Sequence, residues 1–359
     1  MKILILANND VGLYNFRKEL IYELLKSGHK VYISLPKGDK VKPLVNAGCE
    51  FIDTPIDRRG LNPATDLKLF LKYLKTIRQL KPDYVLTYTI KPNIYGGMAC
   101  RFSKIKFLST ITGLGTAFQG GGLLRRVITT LYRTSMRGAR AVLFENVANM
   151  SVFLDNKIIS KDQAVLLNGA GVNLEDFKLT EMKDDGTVRF LFMGRVMKEK
   201  GIDELFYAAE SLKNEYTNLE FDILGFFEDN YQAQVEALSQ KGIINYHGFQ
   251  SDVKRFIEKS HCVILPSYHE GMSNTLLEAA SMGRPLITSE INGCKEAVID
   301  NESGYLCRVK DKEDLLKKMK IFVDLPFERK VQMGIKAREH IESKFDRARV
   351  IEKVINLLG

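Results

Sequence analysis

Two glutamates, Glu270 and Glu278, stand in an E-x7-E spacing inside CVILPSYHEGMSNTLLEAASMGRPLITSE, and carboxylates so placed suit a ligand rich in hydroxyl groups. A buried strand over Cys262 to Pro266 is predicted to enter a loop carrying Glu270, Gly271 and Met272, with a helix opening near Ser273 or Asn274. That loop brings an acid to the strand's carboxyl end. It brings the first helical N–H groups, at Ser273, Asn274 and Thr275, to the same place, where they and the helix dipole favour a phosphate or a sugar oxygen. Glu278 follows Thr275 by nearly one helical turn, so both acids can face one cleft, one accepting from sugar hydroxyls and the other from a ribose. An ordinary N-cap loop followed by a surface glutamate would show the same spacing.

A complementary set of cations lies upstream. In LFMGRVMKEKGIDEL a strand ends at Gly194, presents Arg195, and reaches Lys200 and Gly201 just before the next helix. A nucleotide diphosphate carries about two negative charges, and a cation at ~4 Å attracts each by roughly 4 kcal/mol at an effective dielectric near 20. Arg195 and Lys200 can supply that neutralisation and stabilise charge growing on a departing phosphate; two solvated cations on a βα turn are the plain alternative. Gly225, at the end of LEFDILG, marks another strand end where a base or ribose can pack, or a simple turn. Glu270, Arg195 and Lys200 are therefore the catalytic candidates, and the glycines and the Gly271–Thr275 segment are donor-binding candidates. No D-x-D follows a predicted strand and no histidine–carboxylate cluster has ligand spacing, so no essential metal is expected.

The first half offers candidates of a different kind. Asn9 and Gly12 follow the first strand, Gly12 in the expected turn before a helix, where backbone can approach donor phosphates or an acceptor. The spacing is not G-x-G-x-x-G, so a dinucleotide site has little support. Tyr88, Thr89 and Lys91 end a further strand, where Lys91 can meet an acceptor diphosphate. TITGLGTAFQGGGLLRR puts Thr112, Gly113, Gly115 and Gly120 to Gly122 before Arg125 and Arg126, as an acceptor loop or as a glycine-rich turn without ligand. From Tyr84 to Phe144 there is no acid among nine basic residues, and LLRRVITTLYRTSMRGAR reads as a basic amphipathic helix. Such a face suits an anionic membrane surface, a diphosphate-linked acceptor or plain solvent. Nucleic acid is not expected, for no recognition motif accompanies the charge.

These residues need strand ends to hold them. At 359 residues the chain exceeds one ordinary core and suits two domains. Short β-rich runs alternate with helical patterns throughout, the mark of an α/β protein with parallel sheets. The expected division is 1–170, 171–344 and a closing helix at 345–359 that crosses back to the first domain, with two doubly wound sheets facing each other across a cleft. Residues 1–170 carry 26 Lys/Arg against 12 Asp/Glu, while 171–359 carry 27 against 32, so the halves meet different partners. Five scattered cysteines without a C-x-x-C pair fit a reduced cytoplasm, and no run of apolar residues is long enough to span a bilayer. The short apolar run at the N-terminus reads as a first strand, not a secretory signal.

With these motifs in view, the chain resembles the retaining GT-B glycosyltransferases of family four, nearly end to end. GRVMKEKG is similar to that family's diphosphate motif and HEGMSNTLLEA to its E-x7-E motif. The resemblance implies that Arg195 and Lys200 hold the diphosphate, Glu270 contacts the transferred sugar and Glu278 binds the ribose. VGLYNFR, TIKPNIYG, ITGLGTAF and NGAGVNLEDF resemble members that build capsule, O-antigen and related cell-surface polysaccharides. They imply a UDP-sugar donor, a polyprenyl-diphosphate-linked saccharide acceptor, a hexose or N-acetylhexosamine transferred without metal, and peripheral contact with the inner face of the cell membrane. A departure is that the only histidine before residue 247 is His29, whereas many members carry one in the acceptor domain. The rival readings are a UDP-N-acetylglucosamine 2-epimerase and a non-catalytic nucleotide-sugar-binding subunit of an assembly complex.

Overall fold

The computed structural model describes residues 1–57, 60, 62–114 and 122–359, with the backbone alone at Leu123. Gly115, Gly120 and Gly121 of the glycine-rich segment thus lie outside the described residues. The chain forms two units: Met1–Ala170 with Arg349–Gly359, and Gly171–Ala348.

The first unit is built on seven parallel strands, β1 (Lys2–Leu6), β2 (Lys30–Leu35), β3 (Glu50–Asp53), β4 (Tyr84–Tyr88), β5 (Lys106–Ile111), β6 (Ala141–Phe144) and β7 (Ala164–Leu166). Their spatial order is β3-β2-β1-β4-β5-β6-β7. A parallel sheet needs apolar residues on both faces because crossover helices cover each side. KILIL does this by alternation: Ile3 and Ile5 enter one core, Leu4 and Leu6 the other. The closing helix, Arg347–Leu358, places Val350, Val354 and Leu358 on one stripe and buries them in the Ile3/Ile5 core. Lys353 Nζ donates to Leu166 O at 2.7 Å and Arg140 Nε to Leu357 O at 2.9 Å. The helix starts at Arg347, two residues later than the sequence pattern indicated.

The second unit repeats the design with β8 (Val188–Met193), β9 (Leu219–Leu224), β10 (Asn245–Tyr246), β11 (Cys262–Leu265), β12 (Leu286–Ser289) and β13 (Gly304–Cys307), in the order β10-β9-β8-β11-β12-β13. In each sheet the strand order reverses once, between β1 and β4 and between β8 and β11. Helices leave opposite faces there and a crevice opens at the carboxyl ends. Both units are Rossmann-like, the α/β class the alternating pattern indicated.

The polar stretch NLEDFKLTEMKDDGTV, residues 173–188, reads in the sequence as a linker, and it is not a free tether. Arg284, fully buried, donates to the carbonyls of Thr180, Glu181, Met282, Ile257 and Glu258. It therefore pins the linker to the ends of two helices, and burial pulls its pKa down to about 10. Removing a buried cation that satisfies several carbonyls leaves orphaned acceptors, each costing about 1–3 kcal/mol. Arg284→Ala is accordingly expected to lower the stability of the protein by roughly 3–5 kcal/mol, read as a fall in the urea midpoint; an unchanged midpoint would show that water replaces the guanidinium.

Candidate functional site

The strands flanking the second unit's reversal point, β8 and β11, carry the two motifs singled out above. After β8 the chain passes Gly194 and Arg195, forms a single 3-10 turn at Lys198–Lys200, and turns at Gly201 into the helix Ile202–Lys213. Gly201 has φ 70°, and a Cβ there would lie 2.1 Å from the carbonyl oxygen of Pro266, the residue just past β11. Only glycine lets the two loops pack so closely. The contact is continued by Tyr268 N–H, which donates to Glu199 O at 2.8 Å.

This close approach brings Lys200 and Glu270 together. Lys200 Nζ donates to Glu270 Oε1, and Ser267 Oγ donates to the same oxygen at 2.8 Å. Both side chains are mostly buried, so the pair is weakly screened. A cation and an acid meeting at a strand-end crevice can bind a phosphate and a sugar hydroxyl side by side. Arg195 does not join them. It is half-exposed and faces Glu228 of the β9 loop at 3.6 Å. Gly194 and Gly225 meet as backbone: a Cβ on Gly225 would lie 1.7 Å from Gly194 O, so the glycine at the β9 end is required by packing between the strand-end loops.

Beyond Glu270 the chain runs through half-buried Gly271 and buried Met272 to Ser273, which caps the helix Asn274–Ser281 by accepting from Leu276 N–H. The first intrahelical bond of that helix is Leu277 N–H to Ser273 O, so the N–H groups of Asn274 and Thr275 precede the ladder. The Oδ1 of Asn274 is buried and has no hydrogen-bond partner among the described residues. Gly293, at φ 88°, supports the loop from below: its carbonyl accepts from Ser273 N–H at 2.8 Å, and a Cβ would clash with the carbonyls of Glu270 and Gly271 at 2.7 Å. Glu278 lies one turn into the helix. Burial of its carboxyl pushes the pKa up to about 7, against the opposing pull of the Arg347 guanidinium. Of the four motif residues the structure thus joins Lys200 to Glu270, pairs Arg195 with Glu228 and sets Glu278 near Arg347.

The first unit also gathers its candidates at carboxyl ends, with two differences from the sequence reading. The helix Asp10–Lys26 begins at once after Asn9, whose side chain caps it by accepting from Gly12 N–H at 2.6 Å. Gly12 is therefore in the first helical turn, its N–H already bonded, and does not form a loop before the helix. Lys91 is not a free cation: its Nζ lies 2.6 Å from Asp66 Oδ1, and Tyr95 OH donates to the other carboxylate oxygen at 2.8 Å. Thr112 and Gly113 follow β5, half-buried, and Arg125 and Arg126 are exposed on the helix Leu123–Met136. Thr89, beside Lys91, holds φ 73°, rare for a β-branched residue, with its Oγ1 buried and unpartnered among the described residues. Across β1 and β6, Arg17 forms a buried ion pair with Glu145 at 2.7 Å and stacks on Tyr88.

Sequence reasoning passed over Ser267, Arg347 and Glu228. Ser267 had a visible signal, three residues before Glu270 in the same loop; the other two meet their partners only through the fold. Among the described residues no group of three His, Cys, Asp or Glu side chains could hold a metal ion, and no helix is long and apolar enough to cross a membrane.

Comparison with known proteins places this geometry. Residues 175–340 match the family profile described as glycosyl transferases group 1, and residues 2–146 match that described as glycosyl transferase 4-like. The chain is 26% identical over 341 residues to the N,N'-diacetylbacillosaminyl-diphospho-undecaprenol alpha-1,3-N-acetylgalactosaminyltransferase of Campylobacter jejuni, covering 90% of each chain. It is 23% identical to the capsular polysaccharide biosynthesis glycosyltransferase CapM of Staphylococcus aureus, covering 90% of this chain and 87% of the relative. Among solved structures, the glycosyltransferase of Rickettsia africae superposes with a TM-score of 0.81 at 20% identity over 99% of this chain and 97% of its own. Anabaena Alr3699/HepE in complex with UDP and glucose superposes with a TM-score of 0.80 at 14% identity over 100% and 99% of the two chains. With two Rossmann-like sheets and both profiles matched in chain order, this chain is a glycosyltransferase of the GT-B fold, its first half matching the 4-like profile and its second half the group 1 profile.

Proposed function

We propose that the chain is a retaining glycosyltransferase that moves a hexose or N-acetylhexosamine from a UDP-sugar to a polyprenyl-diphosphate-linked saccharide in the making of a cell-surface polysaccharide, without an essential metal. The observation that carries this reading is the contact of Lys200 with Glu270 at the reversal point between β8 and β11. The named activity of the Campylobacter relative supports the acceptor class, and the UDP held by the Anabaena neighbour supports the donor.

Lys200 Nζ donates to Glu270, whose carboxylate also accepts from Ser267 Oγ. An arriving diphosphate competes for the ammonium, and Glu270, released in part, accepts from hydroxyls of the sugar. Lys200 and Arg195 then offset charge as the bond between sugar carbon and phosphate oxygen breaks. The departing phosphate takes the proton of the acceptor hydroxyl on the same face, so the new bond forms where the old one was and configuration is kept. The unbonded N–H groups of Asn274 and Thr275 face the donor's oxygens, and Glu278 takes the ribose. Anionic lipid at the inner face of the membrane would hold the basic first unit close to its acceptor.

Lys200→Ala is expected to weaken UDP binding about 10- to 100-fold, the loss of one charge-assisted hydrogen bond of ~1.5–3 kcal/mol. Glu270→Ala is expected to cut kcat by roughly 10²–10³-fold with little change in thermal midpoint. Titration calorimetry with UDP and transfer of labelled sugar from UDP-sugars measure these, and wild-type values in both variants would sink the site. Epimerised UDP-sugar formed without acceptor would replace the transferase by an epimerase, and loss of activity in EDTA would overturn the metal-free mechanism.

Glu278 adds a pH dependence whose sign is fixed. Its folded pKa, about 7, lies above the ordinary glutamate value, so the folded state binds the extra proton. The stability this gives is complete below about pH 4.3 and is lost as the pH rises through about 7. Glu278→Gln should therefore match wild type in stability at pH 4 and exceed it at pH 8. UDP binding, favoured by the ionised carboxylate, should tighten between pH 6 and 8 in wild type more than in the variant.

A further inference from the structure

The first unit carries an open apolar groove that the donor chemistry does not use. It has a volume of about 530 Å³ and runs between the helix Pro63–Leu80, the segment Ile90–Phe102 and the helix Leu123–Met136. That size falls within the ~300–1,000 Å³ of ordinary small-molecule sites. Four of its walls are large apolar side chains left in solvent: Leu67 at 57%, Phe102 at 66%, Leu124 at 41% and Val127 at 46% exposure. Apolar surface of this kind, contiguous and concave, marks a binding site.

The helix Leu123–Met136 has a second, opposite face. Arg125, Arg126 and Arg133 line another cavity of about 530 Å³ there, with Thr129 and Thr130 between them. Arg133 already serves the carbonyls of Asn156 and Lys157. Arg125 and Arg126 are exposed, and no acid occurs between Tyr84 and Phe144 to neutralise them. One helix therefore separates an apolar trough from a cationic pocket by its own width, ~10–12 Å. Ile90 and Lys91, which follow the left-handed turn at Thr89, line the trough, where Asp66 pairs with the lysine.

We propose that these two cavities take one ligand, an isoprenoid diphosphate, with its hydrocarbon chain in the groove and its diphosphate on Arg125 and Arg126. The assignment rests on the lipid-linked acceptor proposed above and names where this chain holds that lipid. A bilayer face cannot enter a concavity, whereas a single chain can. A free diphosphate fills only the arginine side. A ligand that uses both sides needs an apolar chain longer than the helix is wide.

The test compares binding of geranylgeranyl diphosphate, dimethylallyl diphosphate and inorganic diphosphate to the full chain by calorimetry, with UDP titration as the control for a folded second unit. The long chain is expected to bind at least tenfold tighter than the short one. The exposed double variant Leu67→Asn, Phe102→Ser should abolish that difference and leave dimethylallyl diphosphate unchanged, while Arg125→Ala with Arg126→Ala should weaken both about tenfold. Equal affinity for long and short chains in wild type overturns the proposal. So does a groove variant that keeps the long-chain advantage, or one that loses only its binding to phosphatidylglycerol vesicles. A protein that shows the chain-length effect but transfers no sugar to any lipid-linked saccharide refutes the transferase reading and leaves the groove assignment standing.

Discussion

The backbone contact between Gly201 and Pro266 sets the layout of the second unit's strand ends. Two loops leaving adjacent parallel strands ordinarily diverge, since each must turn outward into a helix on an opposite face of the sheet. Here the missing side chain at Gly201 lets the β8 loop lie against the β11 loop, and Gly293 closes the same layer from the far side through Ser273 and the carbonyls of Glu270 and Gly271. Lys200 and Glu270 are consequently brought within reach by main chain, and their own attraction closes the contact. Such an arrangement costs little reorganisation when a ligand separates them, because the loops stay where they are while the side chains change partners.

Much of this was legible in the residues. The strand ends announced themselves through apolar runs closed by glycine, and the E-x7-E acids and the Arg195 and Lys200 cations stood at two of those ends; that the two strands lie side by side was not in the pattern. The partners of those residues were not legible. Arg195 meets Glu228 across the β8 and β9 loops, and Glu278 faces Arg347 from a distant helix, pairings that depend on the three-dimensional order of the sheet and leave no local mark. Lys91 misled for a related reason: its partner Asp66 opens a helix whose face toward the strand end cannot be read from composition. Gly12 misled because glycine after a strand suggests a turn, whereas Asn9 caps the helix so early that the glycine is already inside it.

The two units solve the same problem with different electrostatics. In the second, cation and anion are matched at the crevice, Lys200 against Glu270. In the first, two acids sit in buried or half-buried pairs, Glu145 with Arg17 and Asp66 with Lys91, while Arg125 and Arg126 stand exposed on one helix. A basic surface over a neutralised interior attracts anions without committing a buried group to them.

The closing helix has a consequence for how this chain can be handled. Because Val350, Val354 and Leu358 complete the layer over Ile3 and Ile5, the first unit is assembled from both ends of the polypeptide. A fragment cut after residue 170 would bare that layer to water, and an isolated piece of this kind tends to aggregate. Rejoining the ends, so that the last helix precedes the first strand and the break falls elsewhere, would give a circularly permuted gene in which each unit is one uninterrupted stretch.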